Sequence, residues 1–350
     1  MSTPRYLVTG GAGFIGSNLV AALVAAGEKV RVLDNLSTGR WEHLDGIPNP
    51  SSIERIQGDV RDAEAVATAC RGVEVILHQG ALGSVPRSVE SPIESDSANV
   101  LGTVTVLDVA RHQGVRRVVF AASSAAYGET PTLPKQEDMA PMPLSPYAVS
   151  KLACEHYLKV FAGLYALETV SLRYFNVFGP NQTPDGAYAA AIPRFVDAAL
   201  AGRAIQIFGD GEQSRDFCYV DNTVRANLLA ATTSNKLEGQ VVNIAGGRRI
   251  ELNALVRELG KHFGKELAVD HVAPRAGDVR HSLADITRAR DLLGYEPLVR
   301  WEDGLAPTIA YLRTLRNEGP KEASRTMTCI RGVAAAGAGK AAAAASHAQA

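Results

Sequence analysis

Cysteine is scarce in this chain: four in 350 residues, at Cys70, Cys154, Cys218 and Cys329, with no paired spacing. That excludes a disulfide framework and a clustered zinc site, and it fits a reducing, cytoplasmic setting. Excess charge of either sign is also missing. Thirty-six Lys and Arg stand against 37 Asp and Glu, a net charge of −1, so no basic face is offered to nucleic acid or to an anionic membrane. No apolar run approaches the roughly 20 residues a spanning helix needs. The start runs from Met1 almost directly into the apolar Tyr6-Leu-Val-Thr9, so a secretory leader is not expected. The eight histidines form no HExxH-like cluster, which leaves metal catalysis without support.

What is present is a core. Hydrophobic residues make up 46% of the chain, and the length corresponds to about two domains. Up to about residue 170, short apolar runs alternate with stretches of helical periodicity. Strands are expected at Tyr6–Thr9, Val30–Asp34, Ile53–Gly58, Glu74–His78, Arg117–Ser123 and Glu168–Tyr174. Helices are expected at Phe14–Ala26, Asp62–Cys70, Pro92–His112 and Pro146–Leu164. Alternating strand and helix predict a parallel sheet covered on both faces, a doubly wound α/β domain. After Phe175 the pattern shifts to Gly- and Pro-rich loops and shorter elements, with helices near Ile192–Ala201 and Glu251–Phe263. The expected division is a dinucleotide-binding domain over 1–175 and a smaller lobe over 176–316, some of whose strands return to the main sheet. Residues 317–350 are expected to be a mobile Ala-rich tail.

Thr9-Gly-Gly-Ala-Gly-Phe-Ile-Gly16 follows a strand and opens a helix, the setting in which a glycine pattern reads as a dinucleotide site rather than a structural turn. Gly10 permits the tight turn, Gly13 admits the pyrophosphate, and Gly16 lets helix and strand pack closely. The helix N-terminus then faces the phosphates. Asp34 ends the second strand, where a carboxylate accepts ribose hydroxyls and repels a 2′-phosphate, favouring NAD over NADP. Arg40 in the next loop keeps NADP open. Asp59 and Val60 follow the third strand; Asp59 reads equally well as a flank to the adenine and as a capping aspartate.

Tyr147 and Lys151 stand i and i+4 on an expected helix, hence on one face. A neighbouring ammonium and a cationic nicotinamide are expected to pull the phenol down from its usual value of about 10, by about 1–3 units, into the range of a general base. Ser123 and Ser124 end the fifth strand. A hydroxyl there can bridge a substrate hydroxyl and Tyr147, or can simply cap the next segment.

TGGAGFIG, DNLSTG, GDVRD, SSAAYG, SPYAVSK, LRYFNVFGP, FGDGEQSRDF and AGDVRHSLAD occur in that order. Over roughly residues 5–315 the chain resembles the extended short-chain dehydrogenase/reductases of the nucleotide-sugar epimerase/dehydratase group. The resemblance implies a Rossmann-type fold, bound NAD, a UDP-sugar substrate, a homodimer, and no nucleic-acid or membrane partner. It implies NAD contacts from Phe14, Ile15, Asn35, Ser37, Thr38, Gly39, Gln79, Gly80, Ala81, Asn99 and Phe175, besides the residues above. Where the family usually reads His-x-Ala-Ala, this chain has His78-Gln-Gly-Ala81. The dimer would form through the Pro92–His112 and Pro146–Leu164 helices.

Within that group, dehydratases and decarboxylases commonly carry an acid just after the strand-five serine or threonine. Here those places hold Ser124, Ala125 and Ala126, which leaves reversible oxidation, and hence 4-epimerisation. By the same resemblance, Asn176 contacts the substrate phosphates, Gln206, Ile207 and Phe208 lie along uracil and ribose, and Arg215 and Arg275 clamp the diphosphate. Ser84, Val85, Ala191 and Asp278 belong to the same implied substrate set, and Arg87 serves a carboxylate or is solvated. Hexose-restricted epimerases tend to place tyrosine where this chain has Ser282. A small residue there leaves space for a 2-acetamido group and favours UDP-GlcNAc/UDP-GalNAc. UDP-uronic acid and UDP-glucose epimerases are the alternatives, ahead of a 4,6-dehydratase and a non-catalytic NAD sensor.

Overall fold

A computed structural model describes residues 4–184, 190–274 and 279–318. Arg275 and Asp278, and the Ala-rich tail beyond 318, lie outside the described residues. The central sheet has seven parallel strands: β1 (Tyr6–Thr9), β2 (Val30–Asp34), β3 (Ile53–Gln57), β4 (Val75–His78), β5 (Arg117–Ser123), β6 (Glu168–Tyr174) and β7 (Glu238–Ile244). Their order is β7-β6-β5-β4-β1-β2-β3. Every residue of β1, β2 and β4 is buried, as a parallel sheet covered on both faces requires. The order reverses at β1, which pairs with β2 on one side and β4 on the other. Such a reversal opens a crevice at the carboxyl ends of the two strands, where ligands of doubly wound sheets bind. The fold is Rossmann-type α/β.

Two of the crossover helices start where a side chain caps them. Asp62 accepts from the backbone N–H groups of Glu64 and Ala65, and the helix runs Ala63–Cys70. Ser145 accepts from Ala148 N–H and Pro146 takes the first helical position, opening Pro146–Tyr165. Both devices satisfy donors that a helix N-terminus otherwise leaves orphaned. The expected Pro92–His112 helix is interrupted. Helix Pro92–Asp96 leads into a π-helical turn at Ser97–Leu101, and only then does Gly102–His112 continue.

Beyond β6 the chain alternates between the sheet and a second layer. Helix Val220–Thr232 packs beside Phe14–Ala25, and β7 pairs with β6 in register from Gln240–Val170 to Ile244–Tyr174. The remainder carries three two-stranded ribbons. Ile205–Phe208 pairs with Val269–Val272, Ser214–Asp216 with Arg249–Glu251, and Val177–Phe178 with Cys218–Tyr219. Cys70, Cys154 and Cys218 are buried free thiols. Among the described residues, no helix is long and apolar enough to cross a membrane.

Candidate active site

The glycine turn sits at the β1/β4 crevice, and its glycines are required there. A Cβ on Gly16 would lie 2.1 Å from the Gly10 carbonyl oxygen, and Gly10 itself has φ +64 with Gly80 N only 2.7 Å from where its Cβ would be. No side chain fits at either place, so the backbone of the turn lies open as a cradle for a pyrophosphate. Its residue Ala12 is clamped on both sides. Ala12 N–H donates to Asp34 Oδ2 at 2.9 Å, and His43 Nδ1, 2.7 Å from the Ala12 carbonyl, must donate to it. Asp34 Oδ1 also accepts from Leu36 N–H at 2.8 Å. Each carboxylate oxygen keeps a lone pair for a ribose hydroxyl. These residues fit an NAD.

Around the adenosine end, Asn35, Ser37 and Thr38 are exposed, and Gly39 is packed against Asp34 and Ala12. Asn35 donates to Asp59 at 2.8 Å, and Arg61 grips Asp59 with two guanidinium nitrogens at 2.7 and 2.9 Å. That grip holds the Asp59 carboxyl well below the usual range. Asp59 thus organises its own turn, while Val60 packs against Gly102 and Gly80. Phe14 and Ile15 are partly buried against the core. Gln79, Gly80 and Ala81 are half-buried beside the turn, with Gln79 donating to Asn227 and accepting from Tyr174.

Two of the expected NAD contacts, Phe175 and Asn99, are buried. Phe175 is a core residue, 1% exposed. Asn99 is fully buried on the π-helical turn. Its Oδ1 accepts from Leu82 N–H, and its amide nitrogen donates to the Leu82 carbonyl and to Ser150 Oγ. It clamps the post-β4 loop to the Pro146–Tyr165 helix.

Tyr147 and Lys151 share one face of Pro146–Tyr165, but they are not paired. Lys151 Nζ donates to the Ala121 carbonyl at 2.8 Å and lies 4.7 Å over the Phe120 ring. Burial lowers its pKa to about 8. The Tyr147 phenol is raised above its usual value by burial, with a hydrogen bond to Ser123 opposing the rise. The expected lowering by Lys151 is therefore not met by the protein's own groups, because the ammonium is spent on β5. Ser123 both joins the phenol and caps Ala125 N–H at 3.2 Å. The two readings of that serine coexist. Ser124 opens the 3-10 turn Ser124–Tyr127, half-buried beside it. Tyr147 N–H is held by Ser88 Oγ at 3.0 Å.

The second layer supplies the other candidates. Asn176, at φ +32, donates to the Asp216 carbonyl at 3.3 Å. Arg215 donates to the carbonyls of Ser214 and Arg280. Asp216 behind it is fully buried and pushed up to about 7 by burial, against the pull of four backbone N–H donors. Ser282 N–H donates to the Ser214 carbonyl at 3.0 Å, placing residue 282 against the strand that carries Arg215. On Ile205–Phe208, Gln206 is exposed and Phe208 half-buried, but Ile207 is wholly buried in the core. Ala191 begins the helix Ala191–Leu200. Ser84 caps helix Val85–Glu90, whose first residue is exposed, and Arg87 is engaged by Glu94 at 2.8 Å.

Residues 6–245 match the NAD dependent epimerase/dehydratase family, and the chain belongs to it. It is 40% identical over 311 residues to a UDP-glucose 4-epimerase of Mycolicibacterium smegmatis, covering 88% of this chain and 98% of that protein. The UDP-N-acetylglucosamine 4-epimerase of Methanobrevibacter ruminantium, solved with UDP-N-acetylmuramic acid, superposes with a TM-score of 0.84 at 38% identity, covering 90% and 99% of the two chains. The UDP-glucuronic acid 4-epimerase of Bacillus cereus, solved with UDP-glucuronic acid and NAD, gives 0.82 at 31% identity, covering 89% and 99%.

Proposed function

We propose that this NAD-dependent UDP-sugar 4-epimerase interconverts UDP-GlcNAc and UDP-GalNAc, with Tyr147 as its base. The Gly10–Gly16 turn and Asp34 would hold NAD, which would supply a reversible hydride acceptor for C4 of the sugar. Tyr147 accepts the O4 proton in the first half of the cycle and gives it back in the second. Ser123, at the end of β5, positions the sugar hydroxyl, and Lys151 carries positive charge beneath the site. The carrying observation is that Tyr147 and Lys151 stand one turn apart on the Pro146–Tyr165 helix, with Ser123 closing β5 at its carboxyl end beside the β1/β4 crevice. Elimination of water is disfavoured, since the turn after Ser123 presents Ser124, Ala125 and Ala126 and no carboxylate.

Substrate size rests on Ser282, whose small side chain leaves room for an acetamido group next to the strand that carries Arg215. A uronate reading would call on Arg87, but Glu94 already occupies that guanidinium. Purified protein assayed by NMR against UDP-GlcNAc, UDP-glucose and their uronates tests the assignment directly. Ser282→Tyr should suppress turnover of the N-acetylated sugars at least tenfold more than that of UDP-glucose; equal losses defeat the size argument. Deuterium at C4 should be retained in the epimer, and washout would reject hydride return.

We also infer a homodimer. Val89, Ile93, Leu101, Val149, Val160 and Leu164 stand 50–85% exposed on the segments Val85–Leu101 and Pro146–Tyr165. An apolar surface of that kind marks an interface. Light scattering should give twice the 37.1 kDa chain mass, and Ile93→Asp with Leu164→Glu should give the monomer.

A further inference from the structure

His78 ends β4, is 1% exposed, and touches no solvent-facing group. Its Nδ1 lies 2.6 Å from Thr9 Oγ1 and its Nε2 lies 3.1 Å from Thr103 Oγ1. The direction of each bond follows from its neighbours. Thr103 Oγ1 donates its only proton to the Asn99 carbonyl at 2.6 Å, so it can only accept from His78. His78 is therefore the Nε2–H tautomer, and Nδ1 accepts from the Thr9 hydroxyl. Thr9 Oγ1 in turn accepts from Gly80 N–H at 3.2 Å. Burial holds the imidazole down to about 3, so this tautomer persists across the working pH range.

The chain of bonds continues through Asn99. Its amide donates to Ser150 Oγ at 2.9 Å, and Ser150 donates to the Tyr147 carbonyl at 2.8 Å. One ordered path thus runs from Gly80, whose backbone backs the glycine turn, through Thr9, His78, Thr103, Asn99 and Ser150 to Tyr147. It passes through the π-helical turn Ser97–Leu101, and such turns recur at functional sites. The Gly80 end faces the cofactor cradle and the other end carries the base.

We propose that His78 and Thr103 are positioning residues, fixing the height of the Tyr147 helix turn against the Gly80 loop and hence the base against the nicotinamide side of the site. They touch neither substrate nor cofactor. The proposal rests on the epimerase reading for its activity assay, though its bonds do not.

Thr103 gives the discriminating pair, because both changes keep most of its volume. Thr103→Val is nearly isosteric and deletes the hydroxyl; Thr103→Ser keeps the hydroxyl and deletes the methyl. If the hydroxyl positions the helix, Thr103→Val should lower kcat roughly tenfold, short of the hundredfold that a full 1 Å misplacement can cost. KM for the UDP-sugar and the amount of NAD bound per protomer should stay within twofold of wild type, and Thr103→Ser should stay near wild type throughout. His78→Gln, which can still donate toward Thr103, should retain more activity than His78→Leu. A Thr103→Ser enzyme impaired as much as Thr103→Val, or a Thr103→Val enzyme with unchanged kcat, overturns the proposal. Absence of epimerisation by the wild type defeats the functional reading instead, and NAD content then still reports whether the variants disturb the cradle.

Discussion

Lys151 should make the protein more stable as pH rises through the alkaline range, against the usual trend. The folded chain takes this ammonium out of water, 3% exposed, and gives it one carbonyl at 2.8 Å and the face of Phe120. The carboxylate that would help it, Glu155, is already held in a two-bond fork by Arg173 at 2.7 and 2.8 Å. Desolvation therefore lowers the lysine from 10.5 to about 8. Between those values the folded protein has shed the proton while the unfolded chain still holds it. Unfolding then takes up a proton, so stability increases with pH across that window and is flat below about 8 and above 10.5. At about 1.4 kcal/mol per pH unit, the whole interval corresponds to roughly 3 kcal/mol.

The assay is urea unfolding of NAD-stripped protein at intervals from pH 7 to 10.5, run in parallel on Lys151→Met. Tyrosines and thiols remote from Lys151 also titrate there and cancel in the difference. The neighbouring Cys154, which interacts with Lys151, is replaced by alanine in both proteins. The protein that keeps Lys151 should gain on the variant by roughly 3 kcal/mol, with the gain confined above pH 8. A difference constant to within about 0.5 kcal/mol over the whole range would show that Lys151 keeps its proton, and the account of its burial would be refuted.

Three further outcomes follow from the same geometry. Gly16→Ala forces a Cβ to within 2.1 Å of a backbone oxygen, so NAD binding should be lost and Tm should fall by several degrees. Gly80→Ala meets nothing nearer than 3.3 Å and should keep its cofactor, with less than about 1 kcal/mol of cost; equal behaviour of the two variants in a cofactor-retention assay would contradict the cradle. Glu155→Gln strands the Arg173 charge, 2% exposed, and should cost about 3–5 kcal/mol by urea titration. Tyr147→Phe should lower turnover by about 10²–10⁴-fold with NAD content unchanged, and near-normal turnover would reject the assigned base.

Five of the six strands up to Tyr174 were legible as short runs bounded by turn residues and buried on both faces. The edge strand β3, Ile53-Glu-Arg-Ile-Gln57, is largely exposed and shows through its two isoleucines. Helix Val220–Thr232 was not legible. Its buried side includes Asn222, Thr223 and Asn227, whose bonds go to distant partners, the Val299 carbonyl and Tyr174 Oη among them. A polar residue satisfied only by tertiary contacts reads, in the sequence, as an exposed one. The π-helical turn was hidden for a related reason: Ser97-Ala-Asn-Val-Leu101 carries ordinary helical periodicity, and nothing local announces an extra residue per turn.

The site divides along the same line. The placement of Gly10, Gly16 and Tyr147 was readable because it is local: a turn that admits no Cβ, and a phenol one helical turn from a lysine. The charge state of that phenol was not, because it depends on where Lys151 Nζ ends up, and a carbonyl of β5 claims it. The His43 clamp on Ala12 and the Thr9–His78–Thr103 path were also out of reach, since each joins residues from separate elements through one proton of determined direction. Spacing identifies which groups can do the chemistry. How those groups are held depends on bonds between strands and helices that only the fold brings together, and substitutions such as Thr103→Val address that second part separately.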